Sequence, residues 1–466
     1  MSSTLGAKVL AARAVGELAR RAGRGGGTSL PGKVLMRLEP HAIAELAARL
    51  RSGSVVISAT NGKTTTAAMV ASVLQRAGVA PVHNRAGANM AGGIASTLLA
   101  ATGSHQRIAG ELGLFEVDEF WLGRLAQELQ PRALLLGNLF RDQLDRYGEL
   151  DTIADRWALV VDALPPASSL VLNADDPLIA DLGRERAGVS FYGLEDPSVA
   201  LAQMQHAADS KHCRRCGAPY LYEAVFLGHL GHYSCPNCGR RRPEPRVRAQ
   251  EIVLRGTRAS SFRLLTPQGE VQIDLPLPGL YNVYNAVAAA ALCISLGVTL
   301  DVIAAGLQAT AAAFGRSEAV QIGTLELTIL LIKNPAGANE VLRTLALEPG
   351  ELDLLAVLND RIADGRDVSW VWDADFELLA GKVRRVTCAG SRAAELAVRL
   401  KYAGVPVARL VVVPELGRAL DEAIAAAAGE RLFALPTYTA LLELRQQLGA
   451  RGHVASFWAP ERGKAA

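Results

Sequence analysis

Val55-Val56-Ile57-Ser58-Ala59-Thr60-Asn61-Gly62-Lys63-Thr64-Thr65-Thr66 is the stretch on which the reading of this chain turns. Val55 to Ser58 is an apolar run of strand length. A short polar loop follows, and Thr64 to Gln75 then carries a helical pattern. Strand, tight loop and Gly-Lys-Thr at a helix start are the parts of a phosphate-binding loop, because free backbone N–H groups and the helix dipole favour an anion there. Thr60, Asn61, Gly62, Lys63, Thr64 and Thr65 are the candidate nucleotide-phosphate contacts. Lys63 neutralises the β/γ-phosphate oxygens, and the Thr64 hydroxyl ligates Mg²⁺. The usual pattern places a glycine five residues before Gly62, where this chain has Ile57, so the loop is not of the commonest kind. A chance Gly-Lys-Thr is the competing reading, and the strand before and helix after weigh against it.

Outward from this loop, strand and helix alternate. Ala133 to Leu136 and Leu170 to Leu172 are apolar runs ending in polar residues, the pattern of a parallel sheet whose ligands gather at the carboxyl ends of its strands. Glu116-Val117-Asp118-Glu119 follows a strand-like stretch ending at Phe115. Glu116 is the candidate for a second Mg²⁺ ligand and a catalytic role; a solvated acidic turn is the plainer alternative. A hairpin is predicted from Ser261–Leu265 and Val271–Leu275 around Pro267-Gln268-Gly269, then an Ala-rich helix from Asn285 to Ser295. A second α/β unit runs through Leu327–Ile332, Leu354–Leu358, Val383–Cys388, Leu410–Val413 and Leu432–Leu435.

The fold class is therefore α/β, in three units: a helical segment over 1–50, an ATP-binding phosphate-loop domain over 51–315 and a C-terminal Rossmann-like domain over 316–466. The boundary falls near Phe314 to Val320. Within 1–50, helices are expected at Ala7–Arg21 and His41–Leu50. The Gly-rich loop Gly23 to Gly32 between them reads as a linker in preference to an anion contact. The 466 residues suit about three domains. A net charge of +3 is too small to imply nucleic acid, and none is expected. No apolar run reaches membrane-spanning length, and Met-Ser-Ser-Thr-Leu-Gly-Ala-Lys lacks the layout of a secretory signal. The expected location is cytoplasmic.

Residues of about 205–245 interrupt the α/β rhythm. Cys213-x-x-Cys216-Gly and Cys235-Pro-Asn-Cys238-Gly stand eighteen residues apart, the pattern of a tetrahedral Zn²⁺ site with all four positions filled by thiolate, hence structural. Arg240-Arg241-Arg242 reads as a solvated basic face, with an anionic substrate or membrane as the sharper alternative. Cys293, in an Ala-rich helix, and Cys388, at a strand end, read as buried thiols. Neither has the setting of a catalytic thiol on a sharp strand-to-helix turn. Asp360, Asp364, Asp367, Asp373 and Asp375 cluster after Leu358 with Trp370 and Trp372, either an active-site or partner surface or a packed acidic loop.

Four further segments, with the phosphate loop, resemble the Mur ligase superfamily, which includes the peptidoglycan stem-peptide ligases and folylpolyglutamate synthetase. They are Asn138-Leu139-Phe140-Arg141-Asp142-Gln143-Leu144-Asp145-Arg146-Tyr147-Gly148, Leu172-Asn173-Ala174-Asp175-Asp176-Pro177, Asn282-Val283-Tyr284-Asn285-Ala286 and Phe314-Gly315-Arg316-Ser317-Glu318. The resemblance implies that Asn138, Asp175, Asn282 and Asn285 frame the nucleotide and that Arg316 meets its phosphates. Gln143 replaces a metal-binding His of the family, and Leu330-Leu331-Ile332-Lys333-Asn334-Pro335 replaces its Asp-Tyr-Ala-His-Asn-Pro, removing the ribose-contacting Asp. With the four-Cys insertion, Asn334–Asn339 and Asn359–Trp370, these departures resemble a narrower family, the ligase-like subunits of lipid II isoglutaminyl synthases. That resemblance implies amidation of the D-glutamate α-carboxylate of the lipid II stem peptide through an acyl phosphate. It also implies a GatD-like glutaminase partner whose catalytic pair is completed by an Asp of this chain. Asp367 is the first choice for it and Asp373 the second. The Arg-bearing N-terminal helix is a candidate for peripheral contact with the inner face of the membrane, where lipid II resides. A stand-alone Mur-type amino-acid ligase and a non-catalytic zinc-ribbon scaffold remain the alternative readings.

Overall fold

The computed structural model describes residues 3–21, 29–85, 87–103, 107–142, 150–206, 208–310 and 316–454. Its strands are β1 (Ser54–Ser58), β2 (Pro81–His83), β3 (Leu112–Glu116), β4 (Ala133–Leu136), β5 (Ser169–Asn173), β6 (Ser190–Leu194), β7 (Leu221–Leu227), β8 (Leu230–Ser234), β9 (Val247–Arg255), β10 (Ala259–Thr266), β11 (Gly269–Leu275), β12 (Arg316–Ile322), β13 (Leu325–Leu330), β14 (Leu352–Val357), β15 (Val383–Ala389), β16 (Leu410–Val412) and β17 (Arg431–Pro436).

Nine strands form one sheet in the order β11-β10-β9-β6-β5-β4-β1-β3-β2. It is parallel from β2 through β9 and antiparallel across β9-β10-β11. β1, β3 and β4 are buried at every position, which is why they read as unbroken apolar runs. Alternate residues serve two cores. Val55, Ile57, Leu114 and Leu135 pack beneath the helices Lys63–Arg76 and Leu280–Ser295. Val56, Phe115, Leu134 and Leu136 face the opposite layer. Phe115 is fully enclosed there, a burial that contributes about 2–3 kcal/mol. The chain leaves β1 toward β3 and β2 on one side, then crosses to β4, β5 and β6 on the other. β1 is thus the point where the strand order reverses, and a crevice opens at its carboxyl end.

Among the described residues of the first fifty there is no separate core. Leu5, Val9, Ala12, Leu35, Ile43 and Leu46 belong to the same core as Phe115 and Leu134. A helix at Leu30–Leu38 begins inside the stretch expected to be linker; the rest of that glycine-rich loop, 23–28, lies outside the described residues. The second sheet has the order β12-β13-β17-β14-β15-β16 and is parallel apart from the β12–β13 hairpin. β13 to β17 lie within one or two residues of the predicted runs, whereas β12 has no predicted counterpart and occupies the stretch read as the domain boundary. The two sheets are tied by side chains: Arg343 donates to the Phe226 carbonyl at 2.7 Å, and Glu348 accepts from the Thr257 N–H at 2.6 Å. No described helix is long and apolar enough to cross a membrane.

Candidate functional site

Gly62 adopts φ 89°, a left-handed turn that lets the loop swing into the helix beginning at Lys63. A Cβ at Gly62 would strike Asn285 Oδ1, so the loop is pressed against the Leu280–Ser295 helix. The loop is held from β4 as well. Thr60 N–H donates to the Asn138 carbonyl at 2.9 Å, Asn61 N–H to Asn138 Oδ1 at 2.9 Å, and Asn138 Nδ2 returns a bond to the Asn61 carbonyl at 3.0 Å. Phe140 N–H donates to Thr60 Oγ1 at 3.1 Å. Thr60, Asn61, Gly62, Lys63, Thr64, Thr65, Asn138 and Asn285 are thereby gathered in one place. Thr66 Oγ1 donates to Asn285 Oδ1 at 3.3 Å, and Asn285 Nδ2 to Asn282 Oδ1 at 3.1 Å. Asn282 acts through Asn285 and does not line the cavity described below.

Lys63 is buried, and its ammonium meets Glu119 Oε2 at 2.8 Å, the Ala59 carbonyl and the Thr60 carbonyl at 3.5 Å. Burial opposes its charge, but Glu119, with Asp118 and Glu116 behind it, outweighs that and holds the ammonium above its ordinary value. Burial likewise pushes the Glu119 carboxyl up, and Lys63 and Lys333 more than reverse it. The sequence named Glu116 of this acidic run as a Mg²⁺ ligand and named no partner for Lys63; that partner is Glu119. Nothing in the run Glu116-Val117-Asp118-Glu119 distinguishes the two acids without the fold. Glu116 sits at the end of β3, paired in register with Ile57. Its Oε1 accepts from Asn89 Nδ2 at 3.4 Å, while its buried Oε2 has no hydrogen-bond partner. A buried carboxylate oxygen without a donor is costly and is eased by a cation. Glu116 and the half-buried Thr64 hydroxyl fit the oxygen chemistry of Mg²⁺.

The cavity over the loop has three walls. Asn61, Gly62, Thr65 and Asn138 form its floor, and Tyr281, Tyr284 and Asn285 line one side. Leu227 and Leu230, from the hairpin β7–β8 (paired antiparallel), supply apolar surface, and Lys333, Gly337 and Glu340 come from the second sheet's unit. The hairpin and Lys333 were absent from the sequence-based site, because both reach it only through tertiary folding. Asn334 caps the helix Pro335–Ala346 by accepting from Gly337 N–H at 2.8 Å, and it exchanges amide hydrogen bonds with Asn61 at 3.0 and 3.3 Å.

Asp175 is a correction. It is fully buried and accepts from Arg242 Nε at 2.6 Å, Tyr284 OH at 2.7 Å and Leu194 N–H at 2.9 Å. Its oxygens are spent on the interior, so it does not frame a nucleotide. The same contact corrects the basic run: Arg242 also pairs with Glu195 at 2.6 Å and Arg240 with Asp181, anchoring the cysteine ribbon to the sheet and leaving neither side chain as a solvated face. The Arg316 backbone starts β12; its side chain, and Gln143 to Gly148, lie outside the described residues.

Cys213, Cys216, Cys235 and Cys238 bring their sulfurs within 4.8 Å of one another. Sulfur pairs stand at 3.6 Å (Cys213–Cys238) and 3.4 Å (Cys216–Cys235). A tetrahedral Zn²⁺ with bonds of about 2.3 Å has sulfur–sulfur edges of about 3.8 Å, so the set fits such an ion. Each Cys-x-x-Cys-Gly turn closes in the same way, Gly217 N–H on the Cys213 carbonyl (2.7 Å) and Gly239 N–H on the Cys235 carbonyl (3.1 Å). Cys388 is pushed up to about 12 by burial, and burial raises the Cys293 thiol further. Both are buried free thiols whose surroundings disfavour the thiolate.

In the loop after β14, Asp364 is buried and accepts from Thr439 N–H at 2.7 Å. Asp360 meets Arg392 Nε at 2.8 Å and Ser391 Oγ at 2.7 Å. Asp373 faces Arg141 at 3.3 Å, and Asp375 exchanges hydrogen bonds with Asn339. Asp367 is exposed and accepts from Ser369 N–H at 2.8 Å.

A phosphate loop at a strand-order reversal, closed over by a second α/β unit, defines a ligase of the Mur type. The Mur ligase middle domain model matches residues 57–239, and the MurT ligase C-terminal model matches 331–441. The chain is 34% identical over 97% of its length to the MurT subunit of lipid II isoglutaminyl synthase (glutamine-hydrolyzing) from Streptococcus pneumoniae, covering 98% of that protein. With the corresponding Staphylococcus aureus subunit it shares 33% over 93%, covering 96%. Among solved structures, a pseudomurein peptide ligase type C from Methanothermus fervidus superposes with a TM-score of 0.65 at 23% identity, over 87% of this chain and 80% of that one. Folylpolyglutamate synthase from Mycobacterium tuberculosis, solved with ADP and AMPPCP, gives 0.59 at 17%, over 88% and 94%; these two establish the fold. The chain belongs to the family of MurT subunits of lipid II isoglutaminyl synthase.

Proposed function

We propose that this chain uses ATP to amidate the α-carboxylate of D-glutamate in the lipid II stem peptide, giving D-isoglutamine, with ammonia supplied by a separate GatD-like glutaminase subunit. The observation that carries this reading is the buried Lys63–Glu119 pair beside the unpartnered Glu116 oxygen at the mouth of the phosphate loop. This is a charged centre whose chemistry suits a polyphosphate and a cation. The relatives' designation as glutamine-hydrolysing isoglutaminyl synthase subunits supports the substrate and the need for a partner.

The substrate carboxylate attacks the γ-phosphorus of ATP, forming an acyl–O–P bond as the bond to ADP breaks. Ammonia then attacks the carbonyl carbon, the C–O bond to phosphate breaks and a proton leaves the nitrogen. Lys63, the loop amides and Asn138 position the phosphates. Thr64 and Glu116 would hold Mg²⁺, which when bound screens phosphate charge. Most of the rate comes from positioning and charge stabilisation. The four cysteines would hold Zn²⁺ as a structural ion, which when bound would brace the β7–β8 hairpin that carries Leu227 and Leu230. Asp367, exposed and held locally, is the first candidate to complete the partner's Cys–His pair. Asp373, occupied by Arg141, is the second. The N-terminal helix exposes Leu10 and Leu18 at 66% each and offers a contact with the membrane surface. Unchanged liposome binding by a Leu10→Ser/Leu18→Ser variant would remove that contact from the account.

The test is mass spectrometry of lipid II incubated with the full chain, ATP and Mg²⁺, with ammonium alone or with glutamine and the glutaminase. The expected product carries NH₂ in place of OH in both arms. ADP release that requires a free amino acid, with no amidated product, would instead make the chain a stand-alone ligase.

A further inference from the structure

Lys333 lies 273 residues from Thr60 in the chain, yet its ammonium is 3.4 Å from the Thr60 carbonyl. Lys63 reaches the same oxygen at 3.5 Å. The two ammoniums therefore stand within the sum of those contacts, near enough for neighbouring oxygens of one polyphosphate to engage both. Each needs an anion in the meantime. Lys63 has Glu119, and Lys333 has Asp142, whose second oxygen is buried without a hydrogen-bond partner. Lys333 also acts on Glu119, lowering its carboxyl together with Lys63.

The position of Lys333 is fixed from both sides. β13 delivers it at the carboxyl end of the second sheet, and the next residue, Asn334, is clamped to Asn61 of the phosphate loop. The helix that Asn334 caps starts there, with its N-terminal end toward the loop and Gly337 on the cavity wall. Lys333 lines that cavity and its side chain is 26% exposed, so it is neither sealed in the interior nor free in solvent.

The geometry points to Lys333 as a second phosphate-binding lysine, brought by the C-terminal unit. It exchanges Asp142 for the terminal phosphate of the bound nucleotide and stays on that group as it is transferred. The assignment rests on the ATP-binding reading above. No proton moves: Lys333 remains an ammonium while the γ-phosphorus–oxygen bond to ADP breaks and the bond to the carboxylate forms. Asp142 is then a counter-ion that holds the lysine in place when no nucleotide is bound and competes with phosphate for it.

The experiment is calorimetric titration of the full-length chain with AMPPCP and with ADP, both with Mg²⁺ and without acceptor substrate. Wild type is compared with Lys333→Met, Lys333→Arg and Asp142→Asn. Lys333→Met should weaken AMPPCP by about tenfold or more, the worth of one charge-assisted contact, and ADP by much less. Lys333→Arg should recover part of the loss. Asp142→Asn should bind AMPPCP as tightly as wild type or tighter. If Lys333 serves only to join the two units, Lys333→Met and Asp142→Asn will weaken both nucleotides alike, and the assignment falls. It falls also if Lys333→Met binds AMPPCP like wild type. Failure of wild type to bind either nucleotide would overturn the ATP reading itself, a result distinct from both.

Discussion

The carboxyl ends of β1 and β14 are alike in topology and opposite in chemistry. Each strand lies where its sheet's order reverses, with later strands on both sides. At β1 the polar groups are left wanting: Glu116 Oε2 has no partner, and Lys63 is folded back onto its own strand end and Glu119. At β14 they satisfy one another. Asn359 Nδ2 donates to Thr439 Oγ1 at 3.1 Å, Asp364 takes Thr439, and Asp360 takes Ser391 and Arg392. Buried polar groups without partners are costly, and on the proposed reading a bound ligand completes the first arrangement. The second is complete as it stands and turns its remaining acid, Asp367, outward. One reversal point makes a pocket, and the other is the surface we propose for the partner.

The sharpest way to break this contrast is Lys63→Met, which should lower ATP-dependent amidation by on the order of a thousandfold. It should also destabilise the fold by about 3 kcal/mol, since Glu119 is left buried and unpaired. Adding Glu119→Gln should restore much of the stability, read by urea titration, and none of the activity. Because the Glu119 carboxyl titrates below its ordinary value of 4.5 in the folded chain, the pair's contribution stands in full above that value. It is lost as pH falls through the lowered one, so wild type and Glu119→Gln should converge in stability in acid. At the other strand end, Asp364→Ala should cost about 2 kcal/mol through orphaned donors at Thr439 and leave nucleotide affinity unchanged. A shift in ATP affinity there would mean the two ends are coupled.

Cys213→Ser should release the ribbon's zinc, measured by elemental analysis. It should weaken ATP binding by about tenfold, the worth of one buried leucine contact at Leu227 or Leu230. The smallest structural effect belongs to Asp367→Asn, under about 0.5 kcal/mol on unfolding. It should nevertheless remove glutamine-supported amidation while ammonium-supported amidation persists. If Asp373→Asn does this instead, the partner surface lies nearer Arg141.

The strands were readable because parallel strands buried on both faces are continuous apolar runs, as at Val55–Ile57 and Ala133–Leu136. The phosphate loop was readable because its parts are local. What the sequence did not disclose is long-range. Asp175 carries the family's motif, yet it is consumed by Arg242 and Tyr284, 67 and 109 residues away. Glu119 was not named as the partner of Lys63, because only the fold shows which acid of the run after β3 turns toward that lysine. Lys333, Leu227 and Leu230 enter the cavity from separate units, and no periodicity records that meeting.

The central claim is that ATP activates a carboxylate, and oxygen transfer tests it most directly. Lipid II labelled with ¹⁸O in the D-glutamate α-carboxylate would be incubated with the full chain, ATP, Mg²⁺ and ammonium, and the released phosphate analysed by mass spectrometry. The account predicts one ¹⁸O in the phosphate for each amide formed. Amide formation with unlabelled phosphate would contradict it.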